Sequence, residues 1–196
     1  MNELAQILAN NQSWSQEREA QDPGGFLRQS RIHAPRFLWI GCIDSRIAPE
    51  QLTGLGPGEM LVHRNIANLV RETDSSCSSV LAFAIDHLKV RHIMVVGHSR
   101  CGGVEAALQG QASGVLQEWL APVCAVREQH REKLGSLPES ARADHLSELS
   151  LRAQWSQLTA LPKVQQAWQR GQSLAVHACF YSLDTGRLRV LDSRTA

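Results

Sequence analysis

Two short segments hold the residues whose types and spacing could do chemistry. Cys42-Ile43-Asp44-Ser45-Arg46 follows the apolar run Phe37-Leu38-Trp39-Ile40, and His98-Ser99-Arg100-Cys101-Gly102-Gly103 follows Ile93-Met94-Val95-Val96. Each apolar run reads as a buried strand, which puts two thiols and an imidazole at strand exits. Cys42, His98 and Cys101 can converge there on one soft metal ion, and zinc is the ion a Cys2His set suits best. Three ligands leave a fourth position. Water in it makes a catalyst, because zinc lowers the pKa of bound water to about 7. A fourth protein ligand makes a structural clip, and His63, His177 and Cys179 are the candidates to close it.

Asp44 and Arg46 lie two and four residues beyond Cys42. In an extended turn, side chains two apart share a side, so Asp44 reaches the metal's surroundings. Its carboxylate either ligates the metal and closes the site, or orients a bound water while Arg46 holds it bidentate and keeps it ionised. Gly102 and Gly103 allow close approach of the backbone at the start of a helix, where free N–H groups favour an anion.

The elements that must position these residues alternate in type. A helical, amphipathic segment over residues 1–20, with Leu4, Ile7, Leu8 and Trp14 at near-helical spacing, is broken by Asp22-Pro23-Gly24-Gly25. A short helix from about Phe26 to Ile32 follows, then strands near 36–41, 60–64 and 92–97. Asp74 or Ser75 caps a helix running to about Lys89, with Val80, Leu81, Phe83, Ala84 and Leu88 facing inward. Gly102 opens another helix, residues 115–133 and 139–170 are mostly helical, and Ser173 to Leu191 reads as a hairpin turning at Asp184-Thr185-Gly186. The expected fold is α/β: a mostly parallel central sheet with an antiparallel edge strand, flanked by helices. One domain over residues 1–196 is expected, with an N-terminal helical arm (1–34) and an α/β core (35–196). Ligands of such sheets gather beyond the carboxyl ends of the strands, where Cys42 and His98 fall.

Bulk composition narrows the class. The 196 residues, 43% hydrophobic and 20% charged with a formal net charge of +1, are ordinary for one globular domain and give no basic run for nucleic acid. No apolar run approaches the ~20 residues that span a bilayer, and the N-terminus lacks the pattern of a signal peptide, so a soluble, cytoplasmic protein is expected. Five cysteines without an export signal argue against disulfides; Cys77, Cys124 and Cys179 read as small buried hydrophobes.

With Arg36-Phe37-Leu38-Trp39-Ile40-Gly41-Cys42, Asp44-Ser45-Arg46, Pro57-Gly58-Glu59, Val62-His63-Arg64-Asn65-Ile66-Ala67-Asn68 and Gly97-His98-x-x-Cys101-Gly102-Gly103, the chain resembles the β-class carbonic anhydrases over nearly its whole length. The resemblance implies reversible hydration of carbon dioxide to bicarbonate and a proton. It implies one Zn2+ held by Cys42, His98 and Cys101, with Asp44 and Arg46 as a catalytic dyad. It also implies self-association to a dimer or tetramer, and a substrate pocket to which Phe83, His33 and Gly102 contribute. In a bacterial, bicarbonate-regulated (type II) subgroup, a Trp, an Arg and a Tyr form a non-catalytic bicarbonate site; Trp39, Arg64 and Tyr181 match it. There, Asp44's counterpart leaves its Arg and becomes the fourth metal ligand in a closed state.

Some positions depart from the family pattern. His33 stands where relatives carry Gln. Ile47 replaces a smaller residue and is expected to crowd the bicarbonate site, and Arg100 adds a charge between two metal ligands. These departures keep two further functions in view: a hydrolase of carbon disulfide or carbonyl sulfide on the same zinc, and a catalytically weak bicarbonate-binding protein.

Overall fold

Apolar runs with few charges make the three inner strands, which are mostly buried, while the edge strands are more polar and partly exposed. In chain order the strands are β1 (Phe37–Cys42), β2 (Met60–Asn65), β3 (His92–His98), β4 (Ala175–Ser182) and β5 (Arg187–Arg194), of which β1, β3 and β4 are the inner ones. In this computed structural model, which describes residues 2–196, they form one sheet in the order β2-β1-β3-β4-β5. The first four are parallel and β5 pairs antiparallel with β4. The α/β architecture with an antiparallel edge is therefore as expected. Because β1 and β3 are parallel neighbours, with Gly41 opposite Val96, their carboxyl ends emerge side by side. That places Cys42 beside His98.

The helices that carry the chain between strands are α3 (Pro49–Thr53), α4 (Ser75–Ala82), α5 (Gly102–Gln109), α6 (Gly114–Gln129), α7 (Arg131–Gly135), α8 (Glu139–Ala160) and α9 (Pro162–Gln169). Two earlier helices, α1 (Glu3–Gln21) and α2 (Gly25–Ser30), precede them in the chain. Asp74 caps α4 by accepting from the N–H of Ser76 at 2.9 Å. On one side of the sheet Leu38, Ile40, Ile93, Val95 and Val176 pack with Leu81, Leu151, Leu158 and Val164. Full burial of each such side chain contributes about 1.5–3 kcal/mol. A second cluster, with Val104, Leu120, Val123 and Leu146, encloses Cys42 and Cys101. A third gathers Trp39, Ile47, Met60, Val96 and Cys179. Cys77 and Cys179 are buried among apolar residues and Cys124 packs against the second cluster.

Three differences from the sequence expectation have physical reasons. The helix expected to reach Lys89 loosens into a π-helical turn at Phe83–His87, and Phe83, expected to face inward, is 46% exposed. The wider turn shifts the side-chain phase, so that Ile85 joins Ala84 in the core in place of Phe83. α3 was not anticipated, because five residues hold too little periodicity to read; Pro49 at its first turn is its one local signal. The segment after β2 makes a short 3-10 turn, Ile66–Asn68, in which Ala67 and Asn68 adopt left-handed backbone (φ 64° and 49°). The Asn65 side chain clamps it, accepting from the N–H of Leu69 at 2.7 Å and donating to the Leu69 carbonyl at 2.8 Å.

A first compact unit ends at Ala34 and a second spans Pro35–Ala196. The first holds α1 (Glu3–Gln21) and α2 (Gly25–Ser30). Asn2 caps α1 through the N–H of Leu4 at 3.0 Å, and the Trp14 and Phe26 rings meet at 5.6 Å. α1 buries none of its residues; Leu4, Ile7 and Leu8 are exposed within the chain. No helix among the described residues is long and apolar enough to cross a membrane.

Candidate metal centre and active site

β1 delivers Cys42 from its last residue, β3 delivers His98 from its last residue, and Cys101 is the N-cap of α5. α5 can pack closely there because Gly103 has no side chain; a Cβ would lie 2.7 Å from Ile66 Cγ2. The two Sγ atoms stand 3.9 Å apart, and with a ring nitrogen of His98 all three potential ligand atoms lie within 4.8 Å of one another. All three residues are buried.

The histidine is set up as a ligand. Its Nδ1 lies 2.9 Å from the Ser99 carbonyl, which only accepts, so Nδ1 carries the proton. Nε2 is left with its lone pair, buried and without a hydrogen-bond partner among the described residues. A buried orphan nitrogen beside two thiols is costly unless something with positive charge occupies the space between them. Tetrahedral zinc with Zn–S of about 2.3 Å requires sulfurs about 3.8 Å apart, close to the 3.9 Å observed. The donor set and its spacing fit a zinc ion.

The sulfurs also hold their protons unequally. As a pair they release one proton readily and resist losing the second. Cys42 is lowered to about 4, chiefly by the hydrogen bond from Cys101, while burial opposes ionisation and His98 and the N–H groups of Ala67 and Asp44 favour it. Cys101 is raised far above its usual range, first because its thiol proton is held in the hydrogen bond to Cys42, then because it is buried and a second thiolate would face the first. A dication removes that opposition, since thiolates are the ligand form.

Asp44 lies beside this cluster and is held by Arg46. Arg46 Nε donates to Oδ1 at 2.9 Å, Nη2 to Oδ2 at 2.6 Å, and the Arg46 backbone N–H to Oδ1 at 3.0 Å. The guanidinium holds the Asp44 carboxyl well below the usual carboxylate range, and Arg46 is raised in turn. Of the two arrangements open to Asp44, this structure has the one with Arg46; the convergent metal cluster among the described residues comprises Cys42, His98 and Cys101.

His63, His177 and Cys179 do not close the site. His63 lies near Asn65, His177 contacts His92 at 3.1 Å, and the Cys179 thiol is pushed up to about 11 by burial among apolar neighbours. Gly102 begins α5 and is exposed. Phe83 tilts against His87 at 5.7 Å in the π-helical turn. His33 is an exposed residue after α2 in the first unit.

Trp39, Arg64 and Tyr181 share one face of the sheet. Gly41 pairs with both Arg64 and Val96, Trp39 is two residues before Gly41, and Tyr181 pairs with His98, two residues after Val96. Trp39 is 1% exposed and its indole N–H has no partner among the described residues. A Cβ at Gly41 would collide with that nitrogen. Arg64 donates from Nε to the Cys42 carbonyl at 2.8 Å and from Nη2 to the Asp44 carbonyl at 2.6 Å. Ile47 is buried in the same cluster as Trp39. The Arg100 side chain pairs with Asp184 at 2.6 Å, so its charge is compensated there.

Sequence reasoning missed the supports of the second segment. The Ser147 hydroxyl donates to the His98 carbonyl at 2.9 Å, and Asp144 Oδ1 accepts from the Arg100 N–H at 2.7 Å. Both sit on α8, more than forty residues away in sequence, where nothing local marks them.

The carbonic anhydrase family profile matches residues 37–188. A carbonic anhydrase of Emericella nidulans is 36% identical over 187 residues, covering 95% of this chain and 82% of that one. The solved structure of a Coccomyxa β-carbonic anhydrase in complex with acetazolamide is similar with a TM-score of 0.94 at 39% identity, covering 100% of this chain and 90% of that one. A β-carbonic anhydrase from a study of two tetrameric enzymes of Sordaria macrospora gives 0.94 at 37% identity, covering 99% of this chain and 100% of its own. Together with the Cys-His-Cys cluster at the strand exits, these likenesses define the class: the chain belongs to the β-class carbonic anhydrase family. Its reaction is the hydration of carbon dioxide to bicarbonate and a proton.

Proposed function

We propose that Cys42, His98 and Cys101 hold one zinc ion per chain and that Asp44 and Arg46 are the catalytic pair beside its fourth position. The observation that carries this reading is His98 Nε2, buried, without a partner among the described residues and facing two sulfurs spaced for a tetrahedral ion. Zinc with three protein ligands supplies a Lewis acid that brings the pKa of a bound water to about 7.

The pair's part follows from its hydrogen bonds. Asp44 Oδ1 accepts twice from Arg46, through Nε–H and the backbone N–H, while Oδ2 accepts once and keeps a free lone pair. An ionised carboxylate only accepts, so a group settling beside it must donate. Asp44 therefore orients an incoming water or the hydroxyl of bicarbonate with its O–H toward the carboxylate, and disfavours carbonate. Its depressed pKa makes it an orienting acceptor that stores no proton at neutral pH. Replacing Arg46 with Ala tests this: kcat should fall with zinc still bound, whereas parental kcat would sink the assignment.

A second reading concerns regulation: bicarbonate binds at Trp39, Arg64 and Tyr181 and inhibits. The support is the unpartnered Trp39 indole donor, which lies over Gly41, and the shared face of the three residues. Arg64 supplies the coupling, because its guanidinium already grips the carbonyls of Cys42 and Asp44. An anion that drew Arg64 toward itself would release the turn bearing Asp44, which could then leave Arg46 and become the fourth ligand. Ile47, packed with Trp39, limits the room and sets how tightly the anion fits. Inhibition rising cooperatively with bicarbonate is the test; a hyperbolic response unchanged by Trp39→Phe would contradict it.

The protein is further proposed to be cytoplasmic and to assemble as a dimer or tetramer, with the exposed α1 residues Leu4, Ile7 and Leu8 and the exposed Phe83 as the surfaces covered. Light scattering at micromolar concentration tests the assembly; a monomer would refute it.

A further inference from the structure

α8 reads the second ligand segment at three successive points of one face. Leu151 packs where Gly97 has no side chain, a Cβ there lying 3.3 Å away. Ser147 Oγ donates to the His98 carbonyl at 2.9 Å, and Asp144 Oδ1 accepts from the Arg100 N–H at 2.7 Å. Positions 144, 147 and 151 follow one stripe of a helix. Arg100 needs this hold: it has left-handed backbone (φ 55°), which non-glycine residues seldom adopt. Its side chain is tied separately to Asp184 at 2.6 Å, so the Asp144 contact acts on the main chain.

The left-handed backbone at Arg100 turns its carbonyl, on the far side of the Cα from the held N–H, to Arg46, whose Nη2 donates to it at 3.1 Å. This contact differs in kind from the others Arg46 makes. Its bonds to Asp44 are local, two residues apart, and would survive if the pair swung together. Arg64 anchors the main chain of that turn but not the Arg46 guanidinium. The Arg100 carbonyl is what fixes the guanidinium relative to the segment bearing His98 and Cys101.

We infer that Asp144 is a positioning residue for the reaction: by holding the Arg100 N–H, and with it the left-handed backbone of that residue, it aims the Arg100 carbonyl that locks Arg46, and through Arg46 the Asp44 carboxylate, against the metal segment. The inference rests on the reading of Asp44 and Arg46 as the catalytic pair.

The test compares zinc-loaded Asp144→Ala, Asp144→Asn and Arg46→Ala with the parent in kcat per bound zinc, KM, zinc content and the 15N-resolved Nε–H signal of Arg46. Asp144→Ala should lose roughly tenfold in kcat per zinc with little change in KM, as expected for misplaced reacting groups. Its Arg46 Nε–H should exchange with solvent several-fold faster. Asp144→Asn keeps an acceptor oxygen and should restore both. Should the Ala variant not fold, Asp144→Glu, with its acceptor displaced by one methylene, should show the same loss. Parental kcat and a parental Arg46 signal in the Ala or Glu variant, loss only in proportion to zinc, or failure of Asn to restore would each overturn the inference. Parental kcat in Arg46→Ala would instead overturn the reading of the pair, while the Arg46 signal in Asp144→Ala would still decide the positioning.

Discussion

Arg46 grips both oxygens of Asp44, with Nε 2.9 Å from Oδ1 and Nη2 2.6 Å from Oδ2. A bidentate fork of this kind fixes the plane of the carboxylate as well as its charge. The Asp44 side chain is largely shielded while Arg46 is half exposed, so solvent screens part of the attraction. The folded-state pKa of Asp44 is below its ordinary value. The stabilisation is therefore complete above the unfolded pKa of about 3.9 and is lost as pH falls below it. Urea denaturation between about pH 5 and pH 3 should show a weaker acid dependence in Arg46→Ala than in the parent; an unchanged dependence would contradict the linkage. At neutral pH the same variant should lose roughly tenfold to a hundredfold in kcat.

Removing the metal should destabilise the fold measurably. The three ligands come from β1, β3 and the start of α5, so an ion there ties together segments distant in sequence. At a free zinc concentration of 100 times Kd, linkage gives about 2.7 kcal/mol, which for a chain of this size corresponds to a rise in Tm of roughly 5–10 °C. Chelation should lower Tm by that amount and make Cys42 and Cys101 newly reactive toward a thiol reagent. Equal melting with and without chelator would rule out a bound metal of this strength.

Trp39→Phe keeps an aromatic ring in the core and deletes the buried indole donor that has no partner among the described residues. In bicarbonate-free buffer this change should be close to neutral for stability, within about 1 kcal/mol, because an unsatisfied donor is removed along with some packing area. Inhibition by bicarbonate should weaken and lose its cooperativity. Stopped-flow rates across a bicarbonate series check this, and an unaltered sigmoid would place the anion elsewhere.

The sequence made the ligands legible because Cys42, His98 and Cys101 stand at the ends of two apolar runs, and runs of that kind become parallel strands with aligned exits. Asp44 and Arg46 were legible by being two residues apart. The hidden part is whatever depends on distant pairing. That Arg64 would hold the carbonyls of Cys42 and Asp44 follows from the β1–β2 register, and that Arg100 would turn its charge to Asp184 follows from the β4–β5 turn. Asp144 and Ser147 were silent because α8 is polar on several sides and only its docking selects the stripe that meets the metal segment. Phe83 was misplaced because a π-helical turn changes the phase of a helix without a proline or glycine to announce it.

A different acid sensitivity arises away from the centre. His92 Nδ1 and His177 Nε2 are 3.1 Å apart, and His177 Nδ1 lies 2.9 Å from Ser193 Oγ. One proton suits the first contact; two place charges face to face. Both pKa values are lowered, His92 by burial and then Arg91 and Arg36, His177 by burial and then His92. Stability is therefore full above the unfolded value of about 6.5 and declines as pH falls below it. Burial of His63 adds to the same trend. Urea midpoints at about pH 7.5 and pH 5.5 should differ less in His177→Gln than in the parent, and an identical difference would remove the pair from the explanation.

The most direct test of the zinc site and its dyad is stopped-flow hydration of carbon dioxide at about pH 8.5, above the pKa of a zinc-bound water, on protein with its metal content measured. Turnover proportional to bound zinc, and lost with the metal in His98→Ala, is the expected result; hydration no faster than buffer at one zinc per chain would contradict it.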